Sequence, residues 1–179
     1  MADSNITKRA LAEALKELME EKSFSKISVA DICGRCDMNR KSFYYHFKDK
    51  YDLVNWIFDT EFISVVSRKA PPSFNTMDLI EALCAYFYKN RSFYRKTLGI
   101  QGQNSFTDHF HELLSAFFQS RLRELIGSDK VTDFQVNFFS DAAVMAFQRW
   151  ILDKNDMTPE DFITQLDICI QCIIESEDF

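Results

Sequence analysis

Residues 28–53, SVADICGRCDMNRKSFYYHFKDKYDL, restrict the fold more than any other stretch, because helix is started and stopped there repeatedly within a short span. Ser28 is placed to cap a first short helix, and Asp31 completes a capping box, in which side-chain oxygens accept backbone N–H groups that the helix leaves unbonded. Val29, Ile32, Cys33 and Cys36 give that helix an apolar stripe. Cys36-Asp37-Met38 is the joint, and Asp37 is a residue type that tolerates the left-handed conformation a sharp turn requires. Asn39 caps a second helix, Arg40 to about Phe47, and Asp49 caps a third that begins at Lys50. Two short helices across so brief a turn predict a helix-turn-helix, whose second helix enters a DNA major groove.

Phe43 and Phe47 can point inward from that second helix, leaving Arg40, Lys41, Ser42, Tyr44, Tyr45 and His46 for the other faces. Four Lys/Arg and one Asp between Met38 and Lys50 give a local charge of +3 in a chain whose total is −6. Cationic and hydroxyl groups on one short helix are what phosphate and base-edge contacts use. An amphipathic helix of this composition on its own more often marks only a core face and a solvated face.

The residues from Ile27 to Ile32 and from Met38 to Lys50 carry more than that pattern. Ser42-Phe43-Tyr44-Tyr45-His46-Phe47-Lys48-Asp49-Lys50 matches a signature of Ser/Thr, Phe/Leu, Tyr, any residue, His, Phe, two of any kind, then Lys. On this signature the chain, over about residues 7–66, resembles the DNA-binding domain of TetR-type transcriptional regulators. The resemblance implies DNA contacts from Ser28, Arg40, Lys41, Ser42, Tyr44, His46 and Lys50, and Tyr45 is placed with the same surface. Asp37 stands where the family usually has glycine, and Gly34 sits inside the first helix.

The rest of the chain reads as helix. Only four Gly and three Pro interrupt it, and 46% of its residues are apolar. The expected fold is all-α: an N-terminal three-helix helix-turn-helix domain (1–48), a connecting helix (49–70), and a C-terminal helical bundle for regulation and dimerisation (71–179), about nine helices in all. Ala70-Pro71-Pro72-Ser73 is the clearest break, since proline cannot continue a helix. Residues 1–55 carry a charge of +1 and residues 56–179 one of −7, which suits a DNA-facing end and a body that repels DNA. The amphipathic start has no basic region followed by an apolar run, and the longest apolar runs, Leu83–Tyr88 and Ala142–Phe147, are far short of a membrane span. A cytoplasmic protein with no membrane partner is expected. No phosphate loop, nucleophile elbow or metalloprotease motif appears, so no catalytic residue, enzyme activity or cofactor is expected.

Five cysteines include two C-x-x-C pairs, Cys33/Cys36 and Cys169/Cys172, with Cys84 apart. Both pairs lie on apolar helical stripes, so core packing is the favoured reading, with thiol-redox sensing as the reading outside DNA regulation. Zinc ligation lacks its usual turn-like ligand context, and His109 and His111 point to different helix faces, so no metal is expected.

The last two long helices carry more apolar surface than one core uses. Ala142, Met145, Ala146, Trp150, Phe162, Leu166, Ile170 and Ile173 are the candidate dimer contacts, because TetR-like proteins pair their last two helices in a four-helix bundle. A homodimer also suits a palindromic operator in double-stranded DNA. The densest aromatic run suggests an effector pocket from Phe87, Tyr94, Gln101, Asn104, Phe106, Phe110 and Phe139, fitted to a small apolar or aromatic molecule. Met38–Asp59 and Tyr86–Arg95 further resemble the TetR subgroup that includes an activator of a dihydroxyacetone kinase operon. That resemblance implies an activator controlled by a kinase-subunit-like protein partner instead of a small molecule.

Overall fold

The computed structural model describes residues 2–69, 71, 74–98, 105–154 and 156–174, except for the side chains of 2, 3, 69, 170 and 172–174. The proline break at 70, 72 and 73 and the loop 99–104, with Gln101 and Asn104, therefore lie outside the described residues. The described elements are helical throughout: α1 (Ala2–Glu21), a 3-10 turn (Phe24–Lys26), α2 (Val29–Arg35), α3 (Arg40–His46) and α4 (Lys50–Phe58). A π-helical turn (Asp59–Ile63) then runs into α5 (Ser64–Lys69), followed by α6 (Thr76–Lys89), α7 (Arg91–Thr97), α8 (Phe106–Ile126), α9 (Asp133–Leu152) and α10 (Pro159–Ile174). Among the described residues, no helix is long and apolar enough to cross a membrane.

The N-terminal end packs because α1 repeats its apolar residues at helical spacing. Leu11, Leu15, Leu18 and Met19 are buried against Phe24, Ile27, Ile32, Cys33, Phe43 and Phe47. The α2–α3 joint follows from three local devices. Ser28 Oγ accepts from the Asp31 N–H at 3.1 Å while the Ser28 N–H donates to Asp31 Oδ2 at 2.8 Å, so both halves of the capping box form. Asp37 takes φ +53°, and the Met38 N–H donates to the Cys33 carbonyl at 2.9 Å. That bond closes a helix end through a left-handed residue, a Schellman stop. Asn39 Oδ1 then accepts the Ser42 N–H at 2.8 Å and opens α3.

The body forms around aromatic rings. Phe58 at the end of α4 lies 5.7 Å from Phe87, 5.4 Å from Phe106 and 6.0 Å from Phe110, measured between ring centroids. Polar ties set the frame around this core. Arg95 on α7 donates to the Ile151 and Asp153 carbonyls at the end of α9, at 2.7 and 2.6 Å. Gln148 Nε2 reaches the Leu98 carbonyl at 2.7 Å, and Trp150 Nε1 the Met157 carbonyl at 2.9 Å.

Within the continuous rod from α4 to α5, the Ser64 N–H donates to the Asp59 carbonyl five residues back, the mark of a π-turn. Asp59 there meets His109 Nε2 of α8 at 2.8 Å. Glu61 pairs with Lys16 of α1 and accepts from the Tyr86 hydroxyl at 3.2 Å.

Two substitutions at the α2–α3 joint test this account of the backbone. A Cβ on Gly34 meets nothing within 4 Å, so Gly34→Ala is expected to stabilise the fold. The gain is about 0.5–1 kcal/mol, from lost chain entropy in the unfolded state. Asp37→Gly removes a Cβ from the left-handed region, worth about 1–2 kcal/mol, against about 0.5–1 kcal/mol of added chain entropy, a net gain of about 0.5 kcal/mol. Urea unfolding reads both, and a lowered midpoint in either variant contradicts the corresponding argument.

Candidate nucleic-acid interface

α3 presents a divided surface. Phe43 is fully buried and Phe47 nearly so, and Phe47 continues into Trp56 of α4 at 5.8 Å between centroids. These rings pin the inner face of the helix. Facing outward are Arg40 and Lys41, both exposed, with Tyr44 at 51% and Tyr45 at 83% exposure. Tyr44 packs edge-on to Phe43 at 5.5 Å between centroids while half of it stays open to solvent. The Arg40 guanidinium lies 6.0 Å from the Tyr44 ring centre, and Tyr45 packs edge-on to His46 at 4.9 Å. Arg40 with Tyr44, and Tyr45 with His46, thus pair on α3, with Lys41 exposed on the same helix. Lys48, exposed, follows directly after α3.

The serines are partly committed. The Ser42 hydroxyl donates to Asn39 Oδ1 at 3.2 Å, and the Ser28 hydroxyl to Asp31 Oδ2 at 2.8 Å. Either can accept a further bond, but each first serves its helix end. The Asp31 carboxyl is held down at about 2, chiefly by the Ser28 N–H, then by the Ser28 hydroxyl and Lys22. Asp31 thus stays charged at the positive end of α2 down to strongly acid pH.

Lys50 departs from the expectation. Its ammonium turns inward, donating to the Phe24 and Ile27 carbonyls at 2.7 Å each and to Ser25 at 3.4 Å, 4.6 Å from the Phe24 ring centre. Desolvation lowers its pKa. The Phe24 carbonyl already accepts the Ile27 N–H at 3.1 Å, and Lys50 adds a cation to this cluster of carbonyls, so it ties α4 to the loop that follows α1. Lys48, at the end of the same signature and exposed, is the cation the sequence reading left out of its contact set.

The described residues of the expected aromatic pocket take two places. Phe87, Tyr94, Phe106 and Phe110 come together as packed rings among the described residues, and Tyr94 also lies on the wall of a recess between α1, α6 and α7. Phe87 lies 4.7 Å from Tyr94 and 5.2 Å from Phe110, and Tyr94 lies 4.9 Å from Phe106. Edge-on and offset contacts at such separations are how rings pack in interiors. Phe139 is 41% exposed, stacked on Phe118, apart from these four.

Of the candidate dimer residues, Trp150 and Phe162 are buried against each other at 4.4 Å and 6° within one protomer. Ala146 and Leu166 pack on the same core. Ile170 and Ile173 carry side chains outside the described set. Ala142 and Met145 are exposed, and the sequence reading missed their neighbours on the face: Phe134, 77% exposed, Phe138, 56%, and Leu152, 40%. The helical spacing of 134, 138, 142, 145 and 152 was the available signal. Cys33 and Cys36 sit in the α2 packing with thiols pushed up by burial, Cys84 is pushed up to about 12, and Cys169 is exposed. A protonated thiol is a poor nucleophile, which goes against the redox reading of the α2 pair. Among the described residues, no group of His, Cys, Asp and Glu could hold a metal ion.

Comparison with known proteins places this geometry. A sequence profile described as bacterial regulatory proteins, tetR family, matches residues 8–57, and one described as a transcriptional regulator C-terminal region matches residues 75–172, more than half of the chain. The chain is 30% identical over 96 residues to the HTH-type dhaKLM operon transcriptional activator DhaS of Lactococcus lactis subsp. lactis, a stretch covering 54% of this chain and 51% of that protein. It thus spans about half the length of the curated relative it matches. Two solved structures share its fold. One is a TetR transcriptional regulator from Streptococcus agalactiae, with TM-score 0.68 and 23% identity over 92% of this chain and 93% of that one. The other is the dihydroxyacetone kinase operon activator DhaS, with TM-score 0.60 and 20% identity over 93% and 97%.

The Lys50 finding yields a test. Lys50→Met leaves the Ile27 carbonyl without its Lys50 donor and the Phe24 carbonyl with the Ile27 N–H alone, and is expected to destabilise by roughly 1–3 kcal/mol, whereas Lys48→Met leaves urea stability within about 0.5 kcal/mol. Equal stability of the two variants contradicts the inward role of Lys50.

Proposed function

The chain belongs to the TetR family of bacterial regulatory proteins and is a DNA-binding transcriptional regulator, and on that premise we propose that it reads a palindromic operator as a homodimer. The observation that carries this reading is the α3 surface: a buried Phe43/Phe47 face holds the helix while Arg40, Lys41, Tyr44 and Tyr45 stand outward together. Arg40 and Tyr44 suit base edges, and Lys41, Lys48 and the capped Ser28 and Ser42 suit phosphates. Both half-sites of a palindrome lie on a fixed helical repeat, so a two-fold dimer presents two α3 helices at one spacing. The apolar face of α9 along Phe134, Phe138, Ala142 and Met145 supplies the covering surface a second copy needs, and a two-fold interface can be built from one self-complementary face.

The signal reaches α3 through the rod α4–α5, which runs without a loop along the one core shared by reader and body. Closure of the aromatic core favours a signal received on the body's surface, as from a protein partner, over a small apolar effector enclosed among Phe87, Phe106 and Phe110. The matched relative's name makes it an activator of an operon, and the same sign of regulation is proposed here.

Tyr44→Ala and Arg40→Ala are each expected to weaken operator binding by roughly 1–3 kcal/mol and to relax sequence preference, whereas Lys48→Ala weakens binding to all DNA alike and flattens the salt slope by about 1. Unchanged affinity in fluorescence-anisotropy titrations of all three removes α3 as the reader. Met145→Glu is expected to turn the dimer into a monomer in sedimentation. A dimer that persists unaltered moves the interface off α9.

A further inference from the structure

Among the described residues, the polar contacts that tie the reader domain to the body include two at the π-turn, through Glu61 and Asp59, and one from α7 to the end of α1. Lys16, on the α1 face toward the body, pairs with Glu61 in the π-turn, and Lys96 of α7 donates to the Met19 carbonyl near the end of α1. Glu61 does not stand alone. It accepts from the Tyr86 hydroxyl at 3.2 Å, which lies 2.8 Å from the Tyr94 hydroxyl. Tyr94 is fully buried and both phenols are held neutral by burial, so the protons run one way: Tyr94 donates to Tyr86, and Tyr86 to the carboxylate. On the other side of the same turn Asp59 meets His109 of α8. A recess of about 200 Å³ between α1, the π-turn, α6 and α7 is lined by Lys16, Glu61, Tyr86 and Tyr94 together, so this chain of bonds runs along its wall.

We propose that Glu61 is the positioning residue for operator reading: by holding Lys16 on one side and the Tyr86–Tyr94 pair on the other, it sets the angle of the reader on the body. Packing holds α1 against α4, and an ion pair that is also hydrogen-bonded adds a directional restraint to it. The lever is long. A reader of about 60 residues is roughly 20–25 Å across, so a turn of about 5° at its base moves the far face by about 2 Å. An event that repacks α6 or α7 acts on α1 through this carboxylate as well as through the Lys96–Met19 contact.

The inference rests on the two-fold operator reading above, and the test separates the two. Full-length protein is titrated against a symmetric duplex recovered by in-vitro selection on the unaltered chain, against the same duplex with its half-sites moved one base pair together or apart, and against a single half-site. The unaltered chain is expected to prefer the selected spacing at least tenfold. Glu61→Gln and Lys16→Met are expected to cut that preference about fivefold or more while half-site affinity stays within twofold, and the swap of Lys16→Glu with Glu61→Lys is expected to restore most of it. Retained spacing preference in Glu61→Gln overturns the proposal. So does a loss of half-site binding together with a lowered melting temperature that the swap does not repair, since that marks a fold contact only. Absence of any spacing preference in the unaltered chain overturns the two-fold reading itself, and the positioning role with it.

Discussion

A single helical rod that carries one continuous core from reader to body is the constraint on which the rest of this molecule depends. Leu53 and Val54 lie in the packing of α1 and the short helices, while Phe58 is ringed by Phe87, Phe106, Phe110 and Tyr94 of the body. Buried side chains sit in interiors packed as densely as organic crystals. Neither end of the rod can therefore slide without disturbing side chains at the other. Independent domains joined by flexible chain move freely by default. Here the join is packed, so the orientation of α3 is a property of the whole protein.

Against that rigid background, the outward surface of α3 is free of structural duty to an unusual degree. The helix is opened by Asn39, preceded by the Asp37 stop, and anchored by Phe43 and Phe47. The charges that its neighbours require are supplied elsewhere, Lys50 for the 3-10 turn and Lys22 for Asp31. Arg40, Lys41, Tyr44 and Tyr45 are thereby left for an outside partner. Side chains held on a fixed helix lose less freedom on binding than side chains on a loop, which favours sequence readout by few residues.

Much of this was legible in the chain because it is local. Ser28 with Asp31, Asp37, Asn39 and Asp49 each act on backbone groups a few residues away, and each does so in the structure. What was not legible depends on distant chain. Lys50 reads as a cation on a basic stretch until the end of the 3-10 turn is found beside it. Aromatic residues at helical spacing describe a hollow pocket and a filled core equally well, and only the meeting of α4, α6, α7 and α8 decides for the filled core. Trp150 and Phe162 looked like surplus apolar surface because their stack joins two helices across a reversal of the chain. The π-turn left no sequence mark, since no proline or glycine lies between Asp59 and Ile63.

That turn also carries a consequence for the phase of the helix. A π-turn is the trace of one residue more than a regular α-helix accommodates. Each residue of an α-helix rotates the face by about 100°, at 3.6 residues per turn. The extra residue thus shifts everything from Ser64 onward by that angle relative to α4, and Val66 packs on the core that Phe58 and Phe62 also face. A chain shortened by one residue here could heal into an unbroken α-helix with every local bond satisfied, yet present α5 to the body from the wrong side. The site is thus intolerant of a change in length while leaving the backbone nothing local to object to, a form of constraint that substitution at single positions does not expose.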